Sequence, residues 1–288
     1  MKKLLFIVII LLLVGCEADS DDIILSKEKI EVPDTKLSEA TETYRITYLS
    51  DGLEVTGFMV RPKEIEKELP LLIFNRGGNQ EYGKMDEKIL STYLSLWAKK
   101  GYVVLASQYR GNDGGEGKEE FGGADVNDVL NLVQAAEELP NVDVENKVML
   151  GASRGGMMTY LAIKEGVDIK AAAVVGGITD LFNFYEERVV VRGMLDELVG
   201  DPEENRDAFE KRSAVYWPDQ LDVPLLIMHG EDDWRVPVGQ ARELSSKLSQ
   251  ENANYEYVEY EDGQHGLSSY VKEYTDKTDQ WFQQHIKE

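Results

Sequence analysis

Ser153 lies between glycines, in the sequence Gly151-Ala-Ser-Arg-Gly-Gly156. Residues 147–150 before it, Lys-Val-Met-Leu, predict a strand, and residues 157–164 after it predict a helix. Small residues around a serine at such a turn allow a strained backbone that exposes the hydroxyl as a nucleophile. The alternative is a glycine-rich turn whose serine only caps the helix. The position between strand and helix favours a nucleophilic Ser153.

A serine hydroxyl is a weak nucleophile and needs a base, usually a histidine, to take its proton. The chain has three histidines. His285 lies in a polar terminal helix, and His229 ends an apolar strand, where packing or a local hydrogen bond is its expected role. His265 lies in a glycine-flanked loop after the last predicted strand, which favours it as the base.

An acid that orients the base should lie between Ser153 and His265 in the chain. Asp232 and Asp233 directly follow the penultimate predicted strand, in the sequence His-Gly-Glu-Asp-Asp. Their chemistry alone does not separate these two aspartates. Asp180, after the preceding strand, is a weaker third candidate.

Acyl transfer also needs donors for the negative oxygen that develops on the substrate carbonyl. One donor is expected to be the backbone N–H of Arg154, directly after the serine. The second should come from the glycine loop 75–79, Asn-Arg-Gly-Gly-Asn, where the backbone can approach a carbonyl closely.

The surrounding elements alternate in type along the chain. Residues 43–49 and 53–60, joined by Asp51-Gly52, predict a β-hairpin. Further strands are predicted at 71–74, 102–106, 147–150, 171–175, 224–228 and 255–258, and helices at 82–100, 126–139, 157–164, 237–250 and 268–286. Apolar strands separated by helices predict an α/β fold with a mostly parallel sheet covered on both faces and the hairpin at one edge.

Residues 180–217 are more than one crossover helix requires. They predict a small, mostly helical insertion over the carboxyl ends of the strands, where α/β sheets bind ligands. We call residues 180–217 the cap insertion.

Several motifs together resemble the catalytic domain of the prolyl oligopeptidase family of serine peptidases. They are the serine motif, Tyr109-Arg-Gly111, the loop Asp262-Gly-Gln-His-Gly266 and His-Gly-Glu-Asp-Asp-Trp-Arg-Val-Pro at 229–237. The resemblance covers roughly residues 65–286 and implies an α/β-hydrolase fold. It also implies Asp233 as the acid and Gly77 as the second oxyanion donor.

The resemblance implies cleavage of a small peptide through an acyl-enzyme on Ser153, without a cofactor. Peptidases of this family usually carry an amino-terminal β-propeller, and the sequence before residue 65 does not predict one. A carboxylesterase of the same fold is therefore the first alternative, with an ester as substrate. A noncatalytic surface-binding lipoprotein is the second.

The amino terminus resembles a bacterial lipoprotein signal. Two lysines precede the apolar run 4–14, which is shorter than the roughly 20 residues of a membrane span, and Leu13-Val-Gly-Cys16 resembles a lipobox. We therefore expect a signal peptide at 1–15, a lipidated flexible tether at 16–38 and a catalytic domain at 39–288. Lipid on Cys16, the sole cysteine, would hold the protein on the extracytoplasmic side of the cell membrane.

Charge and composition argue against other function classes. The net charge of −23, without a basic stripe, argues against a nucleic-acid partner. A single cysteine excludes an intramolecular disulfide, and three separated histidines without a His-Glu-x-x-His pattern predict no metal site.

Overall fold

A nine-stranded sheet forms the centre of the computed structural model, which describes residues 22–286. The strands lie in the order β1-β2-β3-β5-β4-β6-β7-β8-β9. Their bounds are β1 Ile24–Lys29, β2 Thr41–Ser50, β3 Leu53–Pro62, β4 Leu69–Asn75, β5 Val103–Ser107, β6 Val142–Ala152, β7 Ala171–Val175, β8 Leu225–Gly230 and β9 Tyr255–Tyr260. Strands β4 to β9 are parallel, and β1 to β3 join them as an antiparallel edge.

Helices cover both faces of the sheet. They are α1 Glu87–Ile89, α2 Ser95–Lys99, α3 Val126–Ala135, α4 Arg154–Lys164, α5 Leu181–Glu187, α6 Arg192–Leu198, α7 Arg206–Lys211, α8 Gly239–Gln250 and α9 Val271–His285. A π-helical segment, Leu90–Leu94, joins α1 to α2. Helices α3, α4 and α8 pack into one apolar core, and α2 and α9 pack into the other. The predicted mostly parallel sheet, covered on both faces, is confirmed.

The prediction of a flexible tether up to residue 38 is wrong for strand β1. Residues of β1 pair antiparallel with β2, and the amides of Ile23 and Ile24 donate to the Glu138 carboxylate at 2.5 and 2.9 Å. Most of the β1 side chains are exposed, so the strand has no apolar alternation to identify it. Residues 24–29 form a strand because they pair with the edge of β2. The folded domain therefore begins before the predicted residue 39. Cys16, the signal peptide 1–15 and the first part of the tether lie outside the described residues.

The helix expected from Tyr82 begins later, at Glu87. The Asp86 carboxylate accepts the backbone N–H of Ile89 at 2.9 Å and so caps this helix. Tyr82 lies instead in the loop after β4, where its backbone and that of Asn79 exchange two hydrogen bonds. This shift places the Tyr82 side chain, which is 60% exposed, beside the carboxyl ends of the strands.

The cap insertion contains α5, α6 and α7. An aromatic cluster holds it together, since the Phe182 ring centroid lies 5.1 Å from that of Phe209 and 5.9 Å from that of Tyr216. Phe184, by contrast, faces the cavity that also contains Ser153. The cap insertion therefore forms one wall of that cavity.

Candidate active site

Ser153 occupies a strained turn between β6 and α4. Its φ is 57° and its ψ is −124°, a backbone conformation that residues other than glycine rarely adopt. The flanking glycines make the turn possible, because a Cβ on Gly155 would lie 1.9 Å from the carbonyl oxygen of Asn75. A Cβ on Gly151 would lie 2.2 Å from the carbonyl oxygen of Gly155. The turn brings Ser153 to the wall of the cavity, at the carboxyl end of β6.

The loops after β8 and β9 bring His265 and Asp233 into contact. His265 Nδ1 lies 2.8 Å from Oδ2 and 3.0 Å from Oδ1 of Asp233. Since a carboxylate only accepts, Nδ1 donates and Nε2 is the ring nitrogen left to take a proton. His265 lines the same cavity as Ser153. Ser153 and the His265–Asp233 pair thus lie at the same edge of the sheet, with Ser153 and His265 on one cavity.

The backbone and a second histidine hold Asp233 in place. Its Oδ1 accepts the N–H groups of Arg235 and Val236, both at 2.9 Å. Buried His229 places Nε2 2.8 Å from the carbonyl oxygen of Val236 and 3.4 Å from Asp233 Oδ2. Burial alone would raise the pKa of Asp233, but hydrogen bonds from His229 and His265 outweigh it and hold this pKa below its ordinary value. Asp233 is therefore ionised at neutral pH.

The other candidate acids make different contacts. Asp180 caps α5 by accepting the backbone N–H groups of Phe182 and Asn183 at 2.9 and 3.2 Å. The side chain of Asp232 is exposed, and its backbone N–H donates to Gly263. Of the three candidates, the structure brings Asp233 to His265.

Histidines 229 and 285 also lie as the sequence suggests. His229 is fully buried at the end of β8, where its ring contacts the Val236 carbonyl. His285 lies on α9 with Nδ1 2.8 Å from the carbonyl oxygen of Trp281. His229 therefore supports the loop that carries Asp233, and His285 belongs to a terminal helix.

Both candidate oxyanion donors lie next to Ser153, Arg154 in the chain and Gly77 in space. Arg154 is the first residue of α4, and first-turn N–H groups have no acceptor within their own helix. A Cβ on Gly77 would lie 3.1 Å both from the Ala152 carbonyl oxygen and from Ser153 Cβ. The glycine loop therefore approaches the serine turn more closely than a larger residue would allow.

A buried ion network supports this loop from behind. The Arg154 guanidinium pairs with Glu119 at 2.8 Å and with Asp125, and it donates to the Gly78 carbonyl at 3.1 Å. The Tyr109 hydroxyl donates to the Arg76 carbonyl at 3.1 Å. Burial raises the pKa of Tyr109, which keeps that donor protonated. The backbone of the glycine loop is therefore held by charged and hydrogen-bonded side chains.

The cavity in front of Ser153 has a volume of about 730 Å³. Its lining includes predicted site residues and several that sequence reasoning missed: Tyr82, Arg188, Val190, Met194, Trp234 and Arg235. Trp234 and Arg235 directly follow Asp233, so their place in the motif was a signal that could have found them. Arg188 lies in the cap insertion, and no periodicity marks it.

Comparison with known proteins assigns the family. The model of the prolyl oligopeptidase family matches residues 89–288, and the acetyl xylan esterase (AXE1) model matches residues 22–127. The uncharacterized peptidase YtmA of Bacillus subtilis is 33% identical over 215 residues, which are 74% of this chain and 82% of YtmA. The chain belongs to the prolyl oligopeptidase family. It is a hydrolase, and the family resemblance seen in the sequence is confirmed.

This chain spans less than half the length of some longer relatives. The uncharacterized peptidase YuxL of Bacillus subtilis is 29% identical over 86% of this chain and 38% of YuxL. A solved puromycin-hydrolyzing peptidase of Mycobacterium tuberculosis superposes with a TM-score of 0.76 at 23% identity, covering 89% of this chain and 41% of that one. This structural likeness, together with the sheet order, establishes the α/β-hydrolase fold.

Proposed function

We propose that the protein hydrolyses amide bonds of small peptides through an acyl-enzyme on Ser153. The observation that carries this proposal is the contact between His265 Nδ1 and Asp233, 2.8 Å long, in the loops beside the strained Ser153. Asp233 holds the imidazole with Nε2 free to accept the serine proton. The family assignment supports a peptide as the substrate.

The proposed reaction has two halves. In the first, the Ser153 hydroxyl oxygen attacks the scissile carbonyl carbon while its proton passes to His265 Nε2. The backbone N–H groups of Gly77 and Arg154 stabilise the oxyanion, and His265 then returns the proton to the leaving amine as the C–N bond breaks. In the second, His265 takes a proton from water, and the water oxygen attacks the acyl carbonyl carbon. His265 then returns this proton to the Ser153 oxygen as the acyl C–O bond breaks, which releases the acid and regenerates the enzyme.

The cavity suits a small substrate with an apolar part. Its volume of about 730 Å³ falls within the roughly 300–1,000 Å³ of small-molecule sites. Phe184, Val191 and Met194 of the cap insertion and Ile178 contribute apolar lining beside Ser153. The cap insertion then limits the size of the substrate that reaches the serine.

An esterase is the second candidate function. The match of residues 22–127 to the acetyl xylan esterase model supports it, and this stretch includes Gly77 but ends before Ser153. Ester cleavage depends less on proton transfer from His265, because an alkoxide leaves the tetrahedral intermediate more readily than an amide nitrogen that has not been protonated. Ester cleavage alone would therefore use Ser153, His265 and Asp233 in the same roles.

Parallel assays of peptide amides and short acyl esters test the proposal. We expect both classes to be cleaved by the wild type and neither by Ser153→Ala, while the exposed-site control Ser249→Ala keeps full activity. Cleavage of esters without any peptide amide on a broad panel would overturn the peptidase assignment in favour of the esterase. Cleavage of neither class would favour a noncatalytic surface-binding protein.

We further propose that Cys16 carries lipid and holds the enzyme on the extracytoplasmic side of the cell membrane. The sole cysteine, directly after the apolar run 4–14, supports this proposal. Within residues 22–286, no helix is both long and apolar enough to span a bilayer. Detergent-phase partitioning of the full chain should be lost in Cys16→Ser, and a Cys16→Ser protein that still partitions would contradict lipidation.

A further inference from the structure

The cavity has a charge opposite to that of the chain as a whole. The chain carries 54 acidic residues against 31 lysines and arginines. The cavity lining within the described residues nevertheless includes Arg154, Arg188, Arg235 and His265, and no aspartate or glutamate. A wall of this composition in so acidic a protein indicates a ligand with negative charge.

Arg154 does not supply that charge to a ligand. Its guanidinium is buried, pairs with Glu119 at 2.8 Å and also pairs with Asp125. Burial alone would lower the pKa of Arg154, but the carboxylates of Asp125 and Glu119 raise it above its ordinary value. Its positive charge is thus already balanced from behind the cavity.

Arg188 and Arg235 differ from Arg154 in having no acidic partner. Within the part of the chain that the structure describes, no carboxylate oxygen lies within 4.0 Å of either guanidinium. Both side chains are half-buried, so they are partly removed from water without a counter-charge. Such a pair gains energy when an anion enters.

Trp234 and Tyr82 hold the two arginines at the mouth of the cavity. The guanidinium carbons of Arg188 and Arg235 each lie 5.0 Å from the centroid of the Trp234 ring. Arg188 Nη1 also donates to the Trp234 carbonyl at 2.5 Å, and Arg235 Nη1 hydrogen-bonds the Tyr82 hydroxyl. Each guanidinium has five N–H donors, so donors remain for a ligand after these contacts. The Trp234 ring thus orders both guanidinium groups, whose planar arrangement of N–H donors matches the two oxygens of a carboxylate.

We propose that Arg188 and Arg235 form a subsite for a carboxylate of the substrate. This inference rests on the proposed function, because it names the substrate class of the same cavity. The carboxylate comes either from an acidic side chain near the scissile bond or from the free carboxyl terminus of a short peptide. The apolar residues of the cap insertion then contact the uncharged part of the peptide.

Matched peptide pairs test the subsite and separate the two sources. One pair exchanges Glu for Gln beside the scissile bond, and the other exchanges a free carboxyl terminus for an amide. We expect the wild type to favour the charged member of at least one pair by about tenfold or more in kcat/KM, the size of one charge-assisted hydrogen bond. The preference should weaken as salt is raised, because the site is partly exposed.

Variants identify the residues responsible. In Arg188→Gln and Arg235→Gln the ratio of kcat/KM for the charged peptide to kcat/KM for its uncharged partner should fall several-fold. Arg206→Gln, whose guanidinium pairs with Glu210 at 2.8 Å elsewhere on the cap insertion, serves as the matched control and should keep the preference. Loss of preference in that control alone, or equal rates on both members of both pairs in the wild type, would overturn the subsite.

Binding measured by calorimetry on Ser153→Ala separates failure of the subsite from failure of the proposed function. A wild type that cleaves peptides without any preference for charge, and whose Ser153→Ala form binds both members equally, contradicts the subsite and leaves the hydrolase intact. A wild type that cleaves nothing, but whose Ser153→Ala form binds acidic peptides through Arg188 and Arg235, contradicts the proposed function and supports the anion site.

Discussion

The imidazole of His265 lies against both oxygens of the Asp233 carboxylate, with Nδ1 2.8 Å from Oδ2 and 3.0 Å from Oδ1. The two residues are 32 positions apart and come from loops after neighbouring parallel strands, β8 and β9. Their contact selects the imidazole tautomer with its proton on Nδ1. It thereby defines Nε2 as the atom that takes the Ser153 proton.

Asp233→Asn should lower kcat by about 10⁴-fold with little change in KM, because an amide no longer selects the reactive tautomer. Asp232→Asn is the matched control, since its side chain is exposed in the same loop. Steady-state kinetics on both variants measure the effect. Full activity in Asp233→Asn, or an equal loss in Asp232→Asn, would show that Asp233 does not orient the base.

The depressed pKa of Asp233 predicts its titration and its contribution to stability. A carboxyl with a lowered folded pKa stabilises the native state above its unfolded value, about 3.9, and loses that contribution as the pH falls through the folded pKa. The ¹³C signal of the Asp233 carboxyl should therefore stay that of the ionised form from pH 7 down to about 4. A titration midpoint at or above the ordinary aspartate value would contradict the described hydrogen bonds.

Gly77→Ala should reduce kcat by about 10²-fold or more through displacement of one oxyanion donor, with a smaller effect on KM. The added methyl would lie 3.1 Å from Ser153 Cβ and from the Ala152 carbonyl oxygen, closer than ordinary contact, so the loop must shift. Gly239→Ala is the control, because a methyl there meets no atom within 4 Å. An unchanged kcat in Gly77→Ala would remove Gly77 from the oxyanion site.

Hydrogen exchange tests the edge strand β1. Its pairing with β2 should protect its backbone amides, although less than those of the buried strand β4. Glu138→Gln should weaken protection at Ile23 and Ile24, whose amides donate to Glu138, whereas Glu137→Gln should not. If the backbone amides of residues 24–29 exchange at the rate of an unstructured chain, β1 is not a strand in solution and the predicted flexible tether is correct.

Much of the candidate site follows from the sequence because its residues come directly after apolar strands. Parallel strands end at one edge of the sheet, so loops after β4, β6, β8 and β9 necessarily converge there. Residue type alone did not decide which of Asp232 and Asp233 is the catalytic acid. The backbone conformation of their loop decides which carboxylate contacts His265, and residue type does not reveal that conformation. The N–H groups of Arg235 and Val236 hold the Asp233 carboxylate in the position where it contacts His265.

Other features depend on contacts between distant parts of the chain. Strand β1 has the burial pattern of a surface segment, and only the free edge of β2 makes it a strand. Arg188, in the cap insertion, donates a hydrogen bond to the carbonyl of Trp234, which lies 46 positions further along the chain. No local sequence pattern predicts how the cap insertion packs. Sequence periodicity reports the face that an element buries, and it does not report which loops meet above the sheet.

Labelling with a fluorophosphonate probe tests the nucleophile most directly. The wild type should form one covalent adduct, located by mass spectrometry on the peptide that contains Ser153. Ser153→Ala, shown by circular dichroism to be folded, should form none, and His265→Ala should react far more slowly because the serine then has no base. Equal labelling of the wild type and Ser153→Ala would contradict the assignment of Ser153 as the nucleophile.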